Sequence, residues 1–252
     1  MKMIIVAAGQ GTRLRPLTNE VPKCMVAYKQ KPIIDYILET ANGCGINKIG
    51  IINGYKDKVL ENYLKDKKLN FFTNKYFDKT NMVSSLFCAK DYMDDDLIIS
   101  YADIIYKNSV LKKLLNSQDD FSVVIDKDWK KLWSLRMENP LDDAETLKIE
   151  NGNIVEIGKK AQTFNDIEGQ YIGLIKISKK ILNQIIKFYN MLDRDASYDG
   201  KNFDNMYMTS FIQMIINNLL NVKPVYINGG WIEIDSLDDL KNLEKINEDF
   251  NI

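Results

Sequence analysis

Through the first half of the chain, short apolar runs alternate with stretches in which apolar residues recur every three or four positions. The runs at 2–6, 48–53, 69–73, 97–100 and 121–125 have strand length and are rich in Ile, Leu, Val and Phe. The stretches at 33–43, 56–66, 82–91 and 109–117 carry the helical period, and in the first Ile33, Ile34, Ile37, Leu38 and Ala41 share one face. Strand and helix alternating this strictly predict a mainly parallel sheet wrapped by helices, with ligands at the carboxyl ends of its strands. From about Trp129 the pattern loosens. A hairpin is expected at 148–150 and 153–157, because Asn151-Gly152 suits the positive φ angles of a tight turn. Beyond it come strands at 172–177, 224–227 and 231–234 and helices at 179–191, 205–219 and 237–248. No internal repeat or low-complexity linker interrupts the 252 residues. The expectation is one domain, residues 1–252, with a doubly wound three-layer α/β/α fold and a mainly parallel mixed sheet. Residues 1–127 would form its core, and 128–235 a small subregion over that core and the return to the sheet.

Composition narrows the chemistry more than the fold. Hydrophobic residues make up 45% of the chain and prolines number five, as in a packed globule. Histidine is absent, which removes Ser-His-Asp and Cys-His catalysis and His-ligated zinc. Cys24, Cys44 and Cys88 are odd in number and far apart, neither a disulfide framework nor a zinc pattern. A net charge of −1 gives no reason to expect nucleic acid or an anionic membrane as partner. No apolar run reaches the roughly 18 residues that span a bilayer, and the chain enters a strand at once without a signal-peptide pattern. A cytoplasmic protein is expected. Carboxylates, cations, backbone dipoles and an oxygen-bound metal remain, and phosphoryl or nucleotidyl transfer needs no more than these.

The segment after the first strand is built for that chemistry. Ala7, Ala8, Gly9 and Gly11 let backbone N–H groups approach a ligand closely, and Arg13, Arg15 and Lys23 follow at once. Only four of the 34 basic residues are arginines, and two of these four sit here. Where lysine is so plentiful, arginine suggests the planar fork that grips phosphate through paired hydrogen bonds. The spacing lacks the third glycine of the dinucleotide fingerprint and the G-K-[ST] of a P-loop. The whole string A-A-G-x-G-T-R-L-x-P-L-T, with Pro22-Lys23 beyond it, instead resembles the sugar-phosphate nucleotidyltransferase family. That family converts a nucleoside triphosphate and a phosphorylated acceptor to a diphosphate-linked product and pyrophosphate.

The resemblance implies roles for particular residues. Ala7, Ala8, Gly9, Gly11 and Thr12 would cradle the nucleotide, Arg13 would hold the departing phosphates, and Lys23 would touch the α-phosphate and the acceptor phosphate. Asp103 and Asp235 each follow a predicted strand, and the resemblance extends to them as ligands of Mg²⁺ or Mn²⁺. By position alone, either aspartate is equally a helix cap. Asn81, Ser84 and Ser85 either read a base edge or, in the case of Asn81, cap the helix that follows. Together with Cys24-Met25 this string resembles the branch of the family that uses CTP, whose members act on small amine-bearing phosphates and phosphonates. An acceptor such as L-glutamine phosphate is expected, with phosphocholine, 2-aminoethylphosphonate or a sugar 1-phosphate as alternatives.

For the acceptor, Trp129 and Trp133 with Asp126, Asp128 and Arg136 offer aromatic rings, carboxylates and one guanidinium in a short span. Either they form a pocket, with Arg136 on a carboxylate or phosphate, or the tryptophans are core and the charges a wet helix face. The resemblance also points to a lysine on the acceptor phosphate at Lys159 or Lys160, to Tyr171 and Gly173 on the pocket wall, and to Asp204 facing it. A nucleotide-binding regulatory protein without turnover is the non-enzymatic alternative. Oligomeric state is not legible.

Overall fold

The computed structural model describes residues 1–244. Its strands begin with β1 (Lys2–Val6), β2 (Ala27–Tyr28), β3 (Lys31–Pro32), β4 (Ile49–Asn53), β5 (Leu69–Thr73), β6 (Leu97–Tyr101) and β7 (Ile104–Tyr106). They continue with β8 (Phe121–Asp126), β9 (Glu145–Glu150), β10 (Asn153–Lys160), β11 (Gln170–Ile177), β12 (Lys223–Ile227) and β13 (Trp231–Glu233). The α-helices are α1 (Ile33–Gly43), α2 (Asp57–Tyr63), α3 (Met82–Phe87), α4 (Asn108–Leu115), α5 (Trp129–Arg136), α6 (Lys179–Met191), α7 (Met208–Asn218) and α8 (Leu237–Glu244).

The fully buried apolar runs become the interior of a seven-stranded sheet ordered β12-β8-β11-β6-β1-β4-β5. All its strands point the same way except β11, which runs against β6 and β8. Side chains alternate across β1, so the sheet builds two separate cores. Met3 and Ile5 join the core under α1, α2, α4, α5 and α8, whereas Ile4 and Val6 join the one under α3, α6 and α7. Helices on both faces of a mainly parallel sheet make the expected three-layer α/β/α arrangement.

Three departures from the sequence pattern matter. The Asn151-Gly152 hairpin is present, with φ of 49° and 72°, but its arms run through Glu145 and Lys160 and are longer than expected. The segment with two tryptophans is helix α5, and Trp129, Leu132 and Trp133 bury one face of it. The strand expected at 231–234 does not enter the main sheet: Trp231–Glu233 pairs antiparallel with Ile104–Tyr106 as a two-stranded ribbon. Residues 245–248, the tail of the last expected helix, lie outside the described residues. Among the described residues no helix is long and apolar enough to cross a membrane.

Candidate active site

That ribbon is what joins two distant parts of the chain. Asp103 sits just before β7 and Asp235 just after β13, so antiparallel pairing of Glu233 with Ile104 brings the two aspartates together. The Ile234 N–H donates to the Asp103 carbonyl at 2.9 Å and fixes the register at this end. Lys23 arrives from the loop region after β1, and its Nζ donates to Asp103 Oδ2 at 2.6 Å and to Asp235 Oδ1 at 2.5 Å. The Arg13 guanidinium pairs with the other oxygen of Asp235.

Gly11 makes this approach possible. Its φ is +62°, and a Cβ there would lie 2.9 Å from Lys23 Cβ and 3.1 Å from Thr18 Cγ2. The Thr18 hydroxyl donates to the Gly11 carbonyl at 2.8 Å and holds the loop in place. Above the loop opens a cleft of about 370 Å³. Ala7, Ala8, Gly9, Gly11, Thr12 and Arg13 form one wall, Lys23, Asp103 and Asp235 the floor, and Asn81 and Ser85 part of the facing side. Among the described residues the N–H groups of Gly9 and Gly11 have no partner in the chain, which leaves them open to an anionic ligand.

The charges on the floor stabilise one another. Burial works against the Lys23 ammonium, but Asp103 and Asp235 outweigh it and raise its pKa, so Lys23 is a permanent cation at neutral pH. For Asp235, burial opposes ionisation, and Lys23 and Arg13 reverse it and hold the carboxyl below its usual range. Asp103 Oδ1 is buried without a hydrogen-bond partner. An orphaned carboxylate oxygen beside a second aspartate fits Mg²⁺, which takes one or two carboxylates and completes its shell with phosphate oxygens and water. Among the described residues no cluster of three or more acidic or cysteine side chains offers a rival all-protein metal site. The Cys24 thiol also lines the cleft, but burial pushes it up to about 12, so it is no nucleophile.

A second compartment of about 180 Å³ adjoins the first, with Met82, Tyr101 and Glu233 common to both. Tyr171 and Gly173 lie on its wall as expected. Gly173 has φ +85°, and a Cβ there would meet the Tyr101 ring at 2.5 Å, so this glycine lets the ring stand between the compartments. Trp133, one of the two tryptophans weighed for the acceptor, lines it as well, and so do Glu145 and Thr209, neither of which was singled out by sequence spacing. A lone glutamate in an amphipathic strand carries no signal of its own.

Several sequence-based expectations need correction. Arg136 is buried and faces away from both compartments: its Nε donates to Asp239 Oδ1 at 2.9 Å and its Nη1 to Glu233 Oε2 at 2.5 Å. Its partners lie about a hundred residues on in the chain, so the span around Arg136 gave no hint of them. Asp126 is likewise structural, accepting from Gly229 N–H at 2.9 Å and Trp231 Nε1 at 2.8 Å. Asn81 caps α3, accepting from Met82 N–H at 2.8 Å, and Ser85 accepts from Asn74 Nδ2 at 2.9 Å, so neither polar group is free for a base although both line the cleft. Ser84 lines neither compartment; its hydroxyl donates to the Asp204 carbonyl at 3.0 Å, tying α3 to the exposed Asp204 turn. Asp204 itself does not face the pocket. Gly158 packs β10 tightly against Thr209 of α7, and the lysines that follow point outward. Lys159 pairs with Glu156, and both Lys159 and Lys160 are exposed.

Comparison with known proteins agrees with this geometry. The chain is 54% identical to CTP:phosphoglutamine cytidylyltransferase of Campylobacter jejuni, covering 96% of this chain and 98% of that one. It is 31% identical to choline-phosphate cytidylyltransferase of Streptococcus pneumoniae, covering 98% of each. The fold matches the inositol-1-phosphate CTP transferase of T. maritima with a TM-score of 0.74 over 100% of this chain and 98% of that one, at 21% identity. Residues 2–128, which carry the glycine loop, Lys23 and Asp103, match the nucleotidyl transferase family. With the loop, the bridging lysine and the paired aspartates in place, the chain belongs to the nucleotidyl transferase family and is a nucleotidyltransferase.

Proposed function

We propose that this enzyme transfers the cytidylyl group of CTP to the phosphate of a small amine-bearing acceptor, best fitted by L-glutamine phosphate. The products are then CDP-L-glutamine and pyrophosphate. The observation that carries the reading is the 54% identity to CTP:phosphoglutamine cytidylyltransferase, sustained over 96% of the chain. The two adjoining compartments support it, one beside the glycine loop for the triphosphate and one beyond Tyr101 for the acceptor.

An oxygen of the acceptor phosphate attacks the α-phosphorus of CTP in line, and the bond to the bridging oxygen of the β-phosphate breaks. No general base is needed, because a phosphate oxygen is already ionised at neutral pH. Lys23, permanently charged, orients the α-phosphate and the incoming phosphate without giving up a proton. Arg13 leaves Asp235 to escort the pyrophosphate, and the loop N–H groups hold its oxygens. Asp103 and Asp235 would hold Mg²⁺ or Mn²⁺, which when bound neutralises charge on the phosphate oxygens.

A choline-type acceptor is the second reading, favoured by the 31% identical relative and by the aromatic, acidic lining of the second compartment. Pyrophosphate release, screened with four nucleoside triphosphates against L-glutamine phosphate, phosphocholine, 2-aminoethylphosphonate and sugar 1-phosphates, tests both. Turnover of CTP with L-glutamine phosphate is expected. Equal use of UTP with a sugar phosphate would return the enzyme to the sugar nucleotidyltransferases.

A further inference from the structure

The second compartment contains polar groups that the fold leaves unused. Its carboxylates are Asp143, Glu145 and Glu233, and no lysine or arginine lines it. Glu233 is taken by Arg136 and Asp143 is exposed, whereas Glu145 faces the cavity with no ion-pair partner among the described residues. Two donors belong to side chains that line the same space. Trp133 Nε1 and the Tyr171 hydroxyl are both buried, and neither makes a hydrogen bond. A buried donor left unpaired costs about 1–3 kcal/mol, so it is uncommon where the fold alone decides. Two of them beside a lone carboxylate describe a ligand that offers a cation and at least one acceptor oxygen.

We propose that Glu145 is the counter-charge for the acceptor's ammonium, and that Trp133 Nε1 and the Tyr171 hydroxyl donate to a carboxylate or carbonyl oxygen of the same acceptor. This rests on the acceptor reading above and deepens it. An α-amino acid carries both groups on one carbon, so it offers a partner to all three side chains. A quaternary ammonium has no N–H to donate to Glu145, and choline's chain has no carbonyl or carboxylate for the two donors. The pocket therefore selects an amino-acid phosphate over phosphocholine. The oxygen-binding role expected of Arg136 passes to two neutral donors, which tolerate the acidic surroundings.

The test uses the full-length enzyme with CTP, Mg²⁺ and three acceptors: L-glutamine phosphate, its analogue with the α-amino group replaced by hydrogen, and phosphocholine. Glu145→Gln is expected to raise KM for L-glutamine phosphate about 10- to 150-fold, the range of a charged hydrogen bond, with KM for CTP within about twofold. The wild type handles the deamino analogue poorly, and Glu145→Gln makes that analogue no worse. Tyr171→Phe removes one unpaired hydroxyl, keeps the thermal melting point, and raises KM for L-glutamine phosphate about fivefold or more. Equal losses with and without the amine, or unchanged acceptor KM in both variants, would overturn the proposal while leaving the cytidylyl-transfer reading intact. Wild-type enzyme that turns over phosphocholine more efficiently than L-glutamine phosphate would overturn it and favour the choline-type reading, with cytidylyl transfer itself intact. Absence of CTP turnover with all three acceptors would overturn both.

Discussion

At the residue scale, the floor of the cleft holds two carboxylates neutralised by cations of the same chain. Lys23 bridges Asp103 and Asp235, and Arg13 covers the remaining oxygen of Asp235. With these carboxylates in the proposed metal-holding role, losing either would remove charge neutralisation from the transition state, so Asp103→Asn and Asp235→Asn should each lower kcat by about two or more orders of magnitude. Steady-state rates across a Mn²⁺ titration check this, and near-normal rates in folded variants would remove the metal assignment. Glu145 makes a different prediction. Burial, and then the charge of Asp143, push its carboxyl from the usual range up to about 7, with Asp199 adding and the Thr209 hydroxyl opposing. The folded chain thus holds this proton more tightly than the unfolded chain. Its ionised form costs stability, with the cost absent below the unfolded pKa, growing as pH rises, and complete above about 7. Glu145→Gln should therefore raise the melting temperature relative to wild type increasingly from about pH 5 to about pH 8. A difference that stays flat or shrinks across that window contradicts the cost of ionising Glu145 in its pocket. Sequence made the loop residues legible because they are contiguous and their small side chains and cations have one obvious use. It could not reveal Glu145, whose chemistry depends on neighbours brought in from α7 and the Asp143 turn.

At the element scale, the short ribbon β7–β13 does what the sequence pattern could not show. The strand read at 231–234 is present as Trp231–Glu233, and the pattern named no partner for it, because its apolar residues suit a main-sheet strand equally well. Pairing with β7 rather than an edge strand converts two aspartates 132 residues apart into neighbours. The helices around the ribbon hold it. Arg136 at the end of α5 reaches Glu233 on β13 and Asp239 on α8, and Asp239 Oδ2 accepts from the N–H groups of Asp235 at 3.0 Å and Ser236 at 2.8 Å. The guanidinium is thus two steps from the Asp235 carboxylate on the cleft floor. Arg136→Ala would leave Asp239 buried without its cation, a loss of about 3–5 kcal/mol in denaturant unfolding. Activity should fall for both substrates together, since the Asp235 backbone loses its support. A rise in acceptor KM alone, at unchanged stability, would restore Arg136 to the pocket. The rarity of arginine in this chain did signal a demanding site, but the demand at Arg136 is a buried bidentate carboxylate rather than a ligand.

At the scale of the whole molecule, the alternating first half predicts its sheet well because all its runs but the edge strand β5 are largely buried on both faces and its helices have a clear apolar side. The second half was less legible because its β9–β10 hairpin, the reversed strand β11 and helix α5 derive their positions from one another rather than from local pattern. What emerges is one compartment at the carboxyl ends of β1 and β6, proposed for the triphosphate, and a second beyond Tyr101, proposed for the acceptor, with Lys23 lining the first. The proposed mechanism has one central chemical consequence: an oxygen of the acceptor's phosphate becomes the bridge to the α-phosphorus, so the acceptor keeps every oxygen of its phosphate. Acceptor labelled with ¹⁸O in its phosphate, incubated with CTP, Mg²⁺ and the enzyme and read by mass spectrometry, tests that most directly. All of the label should remain in the CDP-linked product, with unlabelled pyrophosphate released in equal amount. Label in pyrophosphate or in free phosphate, or consumption of CTP without a CDP-linked product, would contradict it.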